Sequence, residues 1–187
     1  MINMTMKRTA LGLVTTMAVV SVLTAACGDD DASTTVAPTA TSAPEVVEVE
    51  AVDFGYVGLP ERVAPGTSFT VTNSSDVELH ELVAIRLPAD ETRSVEQLVA
   101  DPVALAAYFP SVTTVVIAPP AAEGFVVEGT GQLVEAGRYA IICAIPTGAD
   151  PEEYLAAAAE TAGGPPQVDG GPPHFAVGMY AELVVEK

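Results

Sequence analysis

The sequence predicts an all-β fold: an antiparallel Greek-key β-sandwich with two short helical insertions. Short apolar or alternating segments of strand length recur from Val46 to the end of the chain. The chain contains fifteen glycines, fifteen prolines and no tryptophan. Turn-forming residues separate the segments, a pattern typical of a sandwich and not of a helical bundle.

Six segments have the composition of strands, and the turn sequences APGTS, NSSD, APPAAEG and EAGR lie between them. In chain order the segments are VVEVEAVDF, TSFTVTN, ELHELVAIRL, VTTVVI, GRYAIICAI and YAELVVEK. In GRYAIICAI, alternation places Tyr139, Ile141 and Cys143 on one face of the strand. Cys143 is therefore expected at the end of a buried strand.

Two segments interrupt this pattern and are predicted to be helical. ADETRSVEQLVADPVALAAYF places Leu98, Leu105 and Tyr108 on an apolar face, with a break near Pro102. DPEEYLAAAAETA begins with Asp150 as a cap and a proline at the first helical position, and it ends before a Gly-Gly pair.

The N-terminal segment has the features of an export signal. Lys7 and Arg8 precede an apolar stretch, and small residues precede Cys27. The ending LTAAC resembles the lipobox of bacterial lipoproteins, which implies that Cys27 is lipidated; the alternative is an ordinary signal peptide with a chance cysteine. We therefore predict a signal peptide over 1–26, a lipidated cysteine with a disordered tether over 27–44, and one domain over 45–187. The expected location is extracytoplasmic, anchored to the cell membrane by lipid on Cys27.

The chain is strongly acidic, with a formal charge of −18, and removal of the leader takes away Lys7 and Arg8 without removing any acidic residue. Such a surface repels nucleic acid and anionic lipid headgroups, so we expect no nucleic-acid partner. The charge would suit a basic protein partner, and it equally suits a role in solubility alone. We expect a monomer.

Few histidine, cysteine and methionine side chains remain once the leader is removed, and they fall in an informative order. The histidines are His80 and His174, and the cysteine that is not the lipidation site is Cys143. Met179 follows His174 by five positions, and it is the methionine that remains after leader removal. A lone thiol in an oxidising compartment needs an explanation, and binding of a metal to the thiolate provides one.

Two imidazoles, one thiolate and a weak thioether are the ligands of a trigonal blue-copper site with axial methionine. Zinc rarely takes methionine, so we predict one mononuclear type 1 copper ion bound by His80, Cys143, His174 and Met179. Because protein ligands fill all four positions, none stays open for substrate, and we expect no enzyme activity. Taken singly, each residue could also be ordinary core.

These residues resemble those of the cupredoxins, the plastocyanin-like blue copper proteins, over about residues 45–187. The first ligand histidine follows an Asn-containing turn in NSSDVELH, and Cys, His and Met follow in that order near the C-terminus. The resemblance implies a β-sandwich with copper at one end, and a partly exposed second histidine, here His174, through which electrons pass.

Two features depart from the family pattern. Thirty residues separate Cys143 from His174, where plastocyanin-like members have a few, so a helical insertion could cover the electron port or build a docking surface. Family members often carry Asn or Ser after the first ligand histidine, where it ties two ligand loops together. Glu81 is at that position, and the sequence does not show whether a carboxyl group there links the two loops.

Three functions are compatible with the sequence. The leading one is a membrane-tethered electron carrier that exchanges electrons with redox partner proteins. A copper-handling or chaperone lipoprotein would use the same ligands, although the chain has no Met-rich tract. A metal-free sandwich serving as a scaffold is the third.

Overall fold

The structure is a computed structural model that describes residues 45–161 and 164–187. The predicted signal peptide, Cys27 and tether lie outside the described residues, and their roles stay predictions. The described strands are β1 Val46–Val52, β2 Gly55–Val57, β3 Arg62–Val63, β4 Thr67–Asn73, β5 His80–Arg86, β6 Val112–Ala118, β7 Phe125–Glu128, β8 Gln132–Leu133, β9 Gly137–Ile142 and β10 Tyr180–Val185. The helices are α1 Val95–Val99, α2 Pro102–Ala106 and α3 Pro151–Glu160, with 3₁₀ turns at Phe109–Ser111 and His174–Val177.

The strands form two sheets that pack as a sandwich. The four-stranded sheet has the order β2-β1-β4-β8, and the six-stranded sheet has the order β3-β10-β9-β5-β6-β7. Most pairs are antiparallel, but β1 with β4 and β3 with β10 are parallel. The β1–β4 pair is parallel because the intervening chain crosses to the other sheet at β3 before it returns. The predicted all-β sandwich is confirmed, with mixed sheets where a purely antiparallel arrangement was expected.

The core lies between the sheets and follows the predicted alternation. Tyr139, Ile141 and Cys143 face this core together with inward residues of the four-stranded sheet such as Val49 and Phe69. The alternate residues of β9 face outward, where they pack with α1 and α2 in a second apolar cluster. The six-stranded sheet is therefore covered on both faces, and its central strands are buried on both.

The predicted helical segments are helical. The first divides into α1 and α2 at Asp101, which caps α2 ahead of Pro102. The second is α3, with the predicted cap: the Asp150 carboxylate accepts from the N–H groups of Glu152 and Glu153. No helix in residues 45–161 and 164–187 is long and apolar enough to cross a membrane.

Candidate metal centre

The topology brings three chain segments together at one end of the sandwich. His80 is the first residue of β5, and Cys143 directly follows β9. Because β5 and β9 are neighbouring antiparallel strands, the start of one meets the end of the other. His174 opens the 3₁₀ turn that leads into β10, the other neighbour of β9.

The side chains of these residues converge on one point. The Nδ1 atoms of His80 and His174 lie 3.2 Å apart. Cys143 Sγ lies 3.3 Å from His174 Nδ1, and one ligand atom from each residue lies within 4.8 Å of the others. All three residues are 0% exposed. Their predicted role as metal ligands rests on this convergence.

Two of the three separations between the donor atoms are close to those of a metal site. Bonds of about 2.0 Å to nitrogen and 2.3 Å to sulfur in a trigonal plane separate the donors by about 3.5–3.7 Å. The observed separations of 3.2 and 3.3 Å are a few tenths of an ångström shorter. Small outward shifts of the rings would open the trigonal space. Two imidazoles and a thiol are the donor set typical of copper sites with one weak axial ligand.

Backbone hydrogen bonds lock the Cys143 and His174 segments to each other. The Phe175 N–H donates to Cys143 O at 2.8 Å, and the His174 N–H donates to Ile145 O at 2.9 Å. Farther out, the Thr147 N–H donates to Pro172 O at 3.0 Å. The two ends of the long insertion are therefore held together by hydrogen bonds, and its length does not make the positions of Cys143 and His174 less fixed.

Met179 lies beside the other candidate ligands. It is fully buried, its N–H donates to His174 O at 2.9 Å, and its carbonyl accepts from the Cys143 N–H at 3.2 Å. Gly178 precedes it with φ of 123°, a left-handed conformation that favours glycine and permits the tight turn. The proposed role of the Met179 thioether as axial ligand stays a prediction.

Asn73 shapes the turn that precedes His80. Its side-chain amide donates to Glu78 O at 2.8 Å and to Ala118 O at 2.9 Å, while its Oδ1 accepts from the Ser75 N–H at 2.9 Å. The residue is buried, so these bonds form away from water, where an unpaired polar group is costly. The Asn-containing turn noted in the sequence is therefore a hydrogen-bonded support for the first histidine.

Glu81 joins the first ligand segment to the second. Its N–H donates to Cys143 Sγ at 3.4 Å, and its carboxyl Oε1 accepts from the Ala144 N–H at 3.0 Å. Oε2 lies 3.4 Å from the hydroxyl of Tyr154 on α3, and Tyr56 donates to the Glu81 carbonyl at 2.6 Å. The link between the two ligand segments is therefore present, and the Glu81 carboxyl group is its hydrogen-bond acceptor.

The Nε2 sides of the two rings face acidic residues. His174 Nε2 lies 3.3 Å from Glu78 Oε2, and His80 Nε2 lies 3.6 Å from Asp53 Oδ1. Carboxylates at these positions favour the tautomer with the proton on Nε2, which leaves the Nδ1 lone pair directed toward the thiol. Phe54 packs edge-on against the His174 ring with centroids 5.0 Å apart. His174 is fully buried, unlike the partly exposed second histidine of the family pattern, because Phe54 and Glu78 pack against it.

Burial sets the protonation of these groups. It lowers the pKa of His174 to about 4, with the nearby His80 as a further cause, and it lowers the pKa of His80. Burial also raises the pKa of the Cys143 thiol, and Glu81 raises it further. Both imidazoles are therefore neutral and able to bind a metal. A cation placed among the three donors would favour the thiolate.

The sandwich, with its candidate ligands grouped at one end, has the architecture that the sequence resemblance implied. The fold is cupredoxin-like. No protein-family model matches the chain, and no curated protein matches it significantly.

Among solved structures, the chain is similar to auracyanin A, a "blue" copper protein from the green thermophilic photosynthetic bacterium Chloroflexus aurantiacus. The identity is 17% and the TM-score 0.43, over 76% of this chain and 99% of that one. Reduced auracyanin from the photosynthetic bacterium Roseiflexus castenholzii shows 16% identity and a TM-score of 0.43, over 78% and 99%. Auracyanin B shows 16% identity and a TM-score of 0.42, over 76% and 89%. Likeness at this level transfers no function to the cupredoxin-like chain.

Sequence reasoning missed the residues that enclose the ligands. Phe54 sits in the turn after β1 with φ of 64°, and its position over His174 depends on how that turn crosses the end of the sandwich. Glu78 carries a weak sequence signal, since it lies two residues before His80 and so has the same strand phase. Tyr154 was placed on a helix, but its contact with Glu81 depends on how α3 folds back onto the sheet.

Proposed function

We propose that this chain binds one type 1 copper ion through His80, Cys143, His174 and Met179 and acts as an electron carrier, not as an enzyme. The observation that carries the proposal is the convergence of two Nδ1 atoms and one Sγ, all fully buried, at one end of the sandwich. The chemistry that copper supplies in such a site is reversible one-electron transfer.

The protein contributes rigidity to this function. Hydrogen bonds between the Cys143 and His174 segments, together with the Glu81 tie, hold the donors from several directions. Donors held in this way change position little when charge changes, which favours fast electron exchange. The same burial supports a carrier over a copper-handling protein, because rapid metal exchange needs accessible ligands, and these are enclosed.

The region around Phe54 is the proposed docking surface for a redox partner. Phe54 contacts the His174 ring and is itself partly exposed, so it offers a short route from the site to the surface. Asp53 beside it is largely exposed. A carboxylate here, on a chain of net charge −18, would favour a partner with a basic surface.

We also propose that the chain is extracytoplasmic and anchored to the cell membrane by lipid on Cys27. The support is the sequence alone: a positive region, an apolar stretch and a lipobox-like ending. Membrane fractionation tests this, since Cys27→Ser should release the protein into the soluble fraction. A wild-type protein that is itself soluble would contradict the anchor.

Titration of the purified protein with Cu(II) tests the metal site. We expect saturation at one equivalent and an intense thiolate charge-transfer band near roughly 600 nm. Cys143→Ser should lose the band, while Cys27→Ser, which changes the other cysteine, should keep it. A wild-type protein that binds no copper, or a band that survives in Cys143→Ser, would overturn the proposal.

A further inference from the structure

An apolar cavity of about 550 Å³ lies between the outer face of the six-stranded sheet and α3. Its floor consists of outward-facing residues of β5 and β6, including Val83 and Val115, which pair directly across the two strands. Leu155 and Ala158 on α3 form the opposite wall. The insertion between Cys143 and His174 therefore builds this space by folding back over the sheet.

The buried polar side chains that line the cavity, Glu81 and Tyr154, come from opposite walls. Glu81 points outward from β5, and Tyr154 reaches toward it from α3. Both are at least 95% buried, and Glu81 Oε2 lies 3.4 Å from the Tyr154 hydroxyl. That distance is long for a hydrogen bond between oxygens, so both groups retain capacity to bind a third polar atom.

The rim of the cavity is also apolar. Phe125, Val126 and Val127 on β7 all line it, and they are 44–48% exposed. Consecutive large apolar residues left in water at a cavity mouth mark a binding site more often than isolated ones do. The volume lies within the range of about 300–1,000 Å³ that is typical of small-molecule sites.

We propose that this cavity binds a small, neutral, largely apolar molecule carrying one hydroxyl group, such as an alkylphenol. The hydroxyl lies between Glu81 and Tyr154, and the apolar part lies between α3 and β5–β7. An anionic ligand is disfavoured because Glu128 lines the cavity and the whole chain is acidic. This binding requires no metal, so it stands or falls separately from the copper site.

Titration of the metal-free full chain with 4-propylphenol, followed by amide chemical shifts, tests the proposal. We expect saturable shifts at Val83, Val115 and Ala158, with a Kd of roughly 0.1–1 mM for a ligand of this size. The methyl ether 4-propylanisole should bind about five- to tenfold more weakly, because its oxygen cannot donate to Glu81. Equal affinity for both probes would overturn the role of the polar pair.

A matched pair of variants on α3 locates the site. Ala158→Phe places a ring inside the cavity and should abolish saturable binding of 4-propylphenol. Ala156→Phe places the same ring on the exposed part of the helix and should bind as the wild type does. Unchanged binding in Ala158→Phe would overturn the proposal. So would self-association through β7 that excludes the probe, observed as a dimer by light scattering.

Discussion

Substitution of Asn73 tests how the first histidine is positioned, because the isosteric change to Asp replaces the hydrogen-bond donor of this side chain with an acceptor. Asn73→Ala removes three buried hydrogen bonds of 2.8–2.9 Å, to Glu78, Ala118 and Ser75. At about 1 kcal/mol for each bond, the metal-free protein should lose about 2–4 kcal/mol of unfolding free energy.

Asn73→Asp should be at least as destabilising at neutral pH, although its shape is nearly unchanged. The acceptor for Ser75 survives, but a carboxylate oxygen replaces the amide nitrogen and faces the carbonyls of Glu78 and Ala118. Buried oxygens that face one another without a hydrogen repel, and the carboxylate also loses its hydration. Copper affinity should fall by about tenfold or more in both variants, because the turn before His80 is no longer held.

Urea denaturation of the metal-free variants and copper titration by competition with a chelator are the assays. Gln132→Glu is the matched control: it makes the same amide-to-carboxylate change at an exposed side chain that donates one bond to Ser68, and it should alter stability by less than about 0.5 kcal/mol. If Asn73→Asp unfolds within 0.5 kcal/mol of the wild type, about the size expected for a surface change, the buried bonds do not hold the turn as described.

Three further substitutions each test a different part of the structure. Arg138→Gln removes bonds of 2.6 and 2.8 Å to the carbonyls of Glu91 and Arg93, so the unfolding free energy should drop by about 1–3 kcal/mol; an unchanged urea midpoint would contradict this. The pKa of Glu182 is lowered because Arg138 hydrogen-bonds to its carboxylate, so the stabilisation of the fold by this carboxylate is present above its ordinary pKa of 4.5 and is lost as the pH falls. Glu182→Gln should make the unfolding free energy depend less on pH in the acidic range, and an unchanged pH dependence would contradict this. In the copper-loaded protein, Met179→Leu should keep the thiolate band and raise the reduction potential in a redox titration, because Cu(II) loses a donor; a lower potential would argue against axial ligation.

Strand patterning carried most of the fold prediction. All six predicted segments contain strands, because alternation and turn residues are local signals that packing reinforced. The strands β2, β3, β7 and β8 have only two to four residues, too few to show a period. The parallel pairing of β1 with β4 was also unpredictable, since it depends on the crossing of β3 to the other sheet.

The donor residues of the candidate site could be proposed from the sequence because so few histidines and cysteines were available. The residues that surround these donors could not be predicted from the sequence. The enclosure of His174 depends on Phe54 and Glu78, which approach from separate loops, and the Glu81 tie depends on a register between β5 and β9. Such contacts are set by tertiary geometry, so spacing along the chain does not reveal them.

Anomalous scattering at the copper edge from crystals of the copper-loaded protein tests the central claim most directly. We predict a single peak within bonding distance of Cys143 Sγ and of the Nδ1 atoms of His80 and His174. A peak bound through the Nε2 atoms, or one located away from Cys143, would contradict the account.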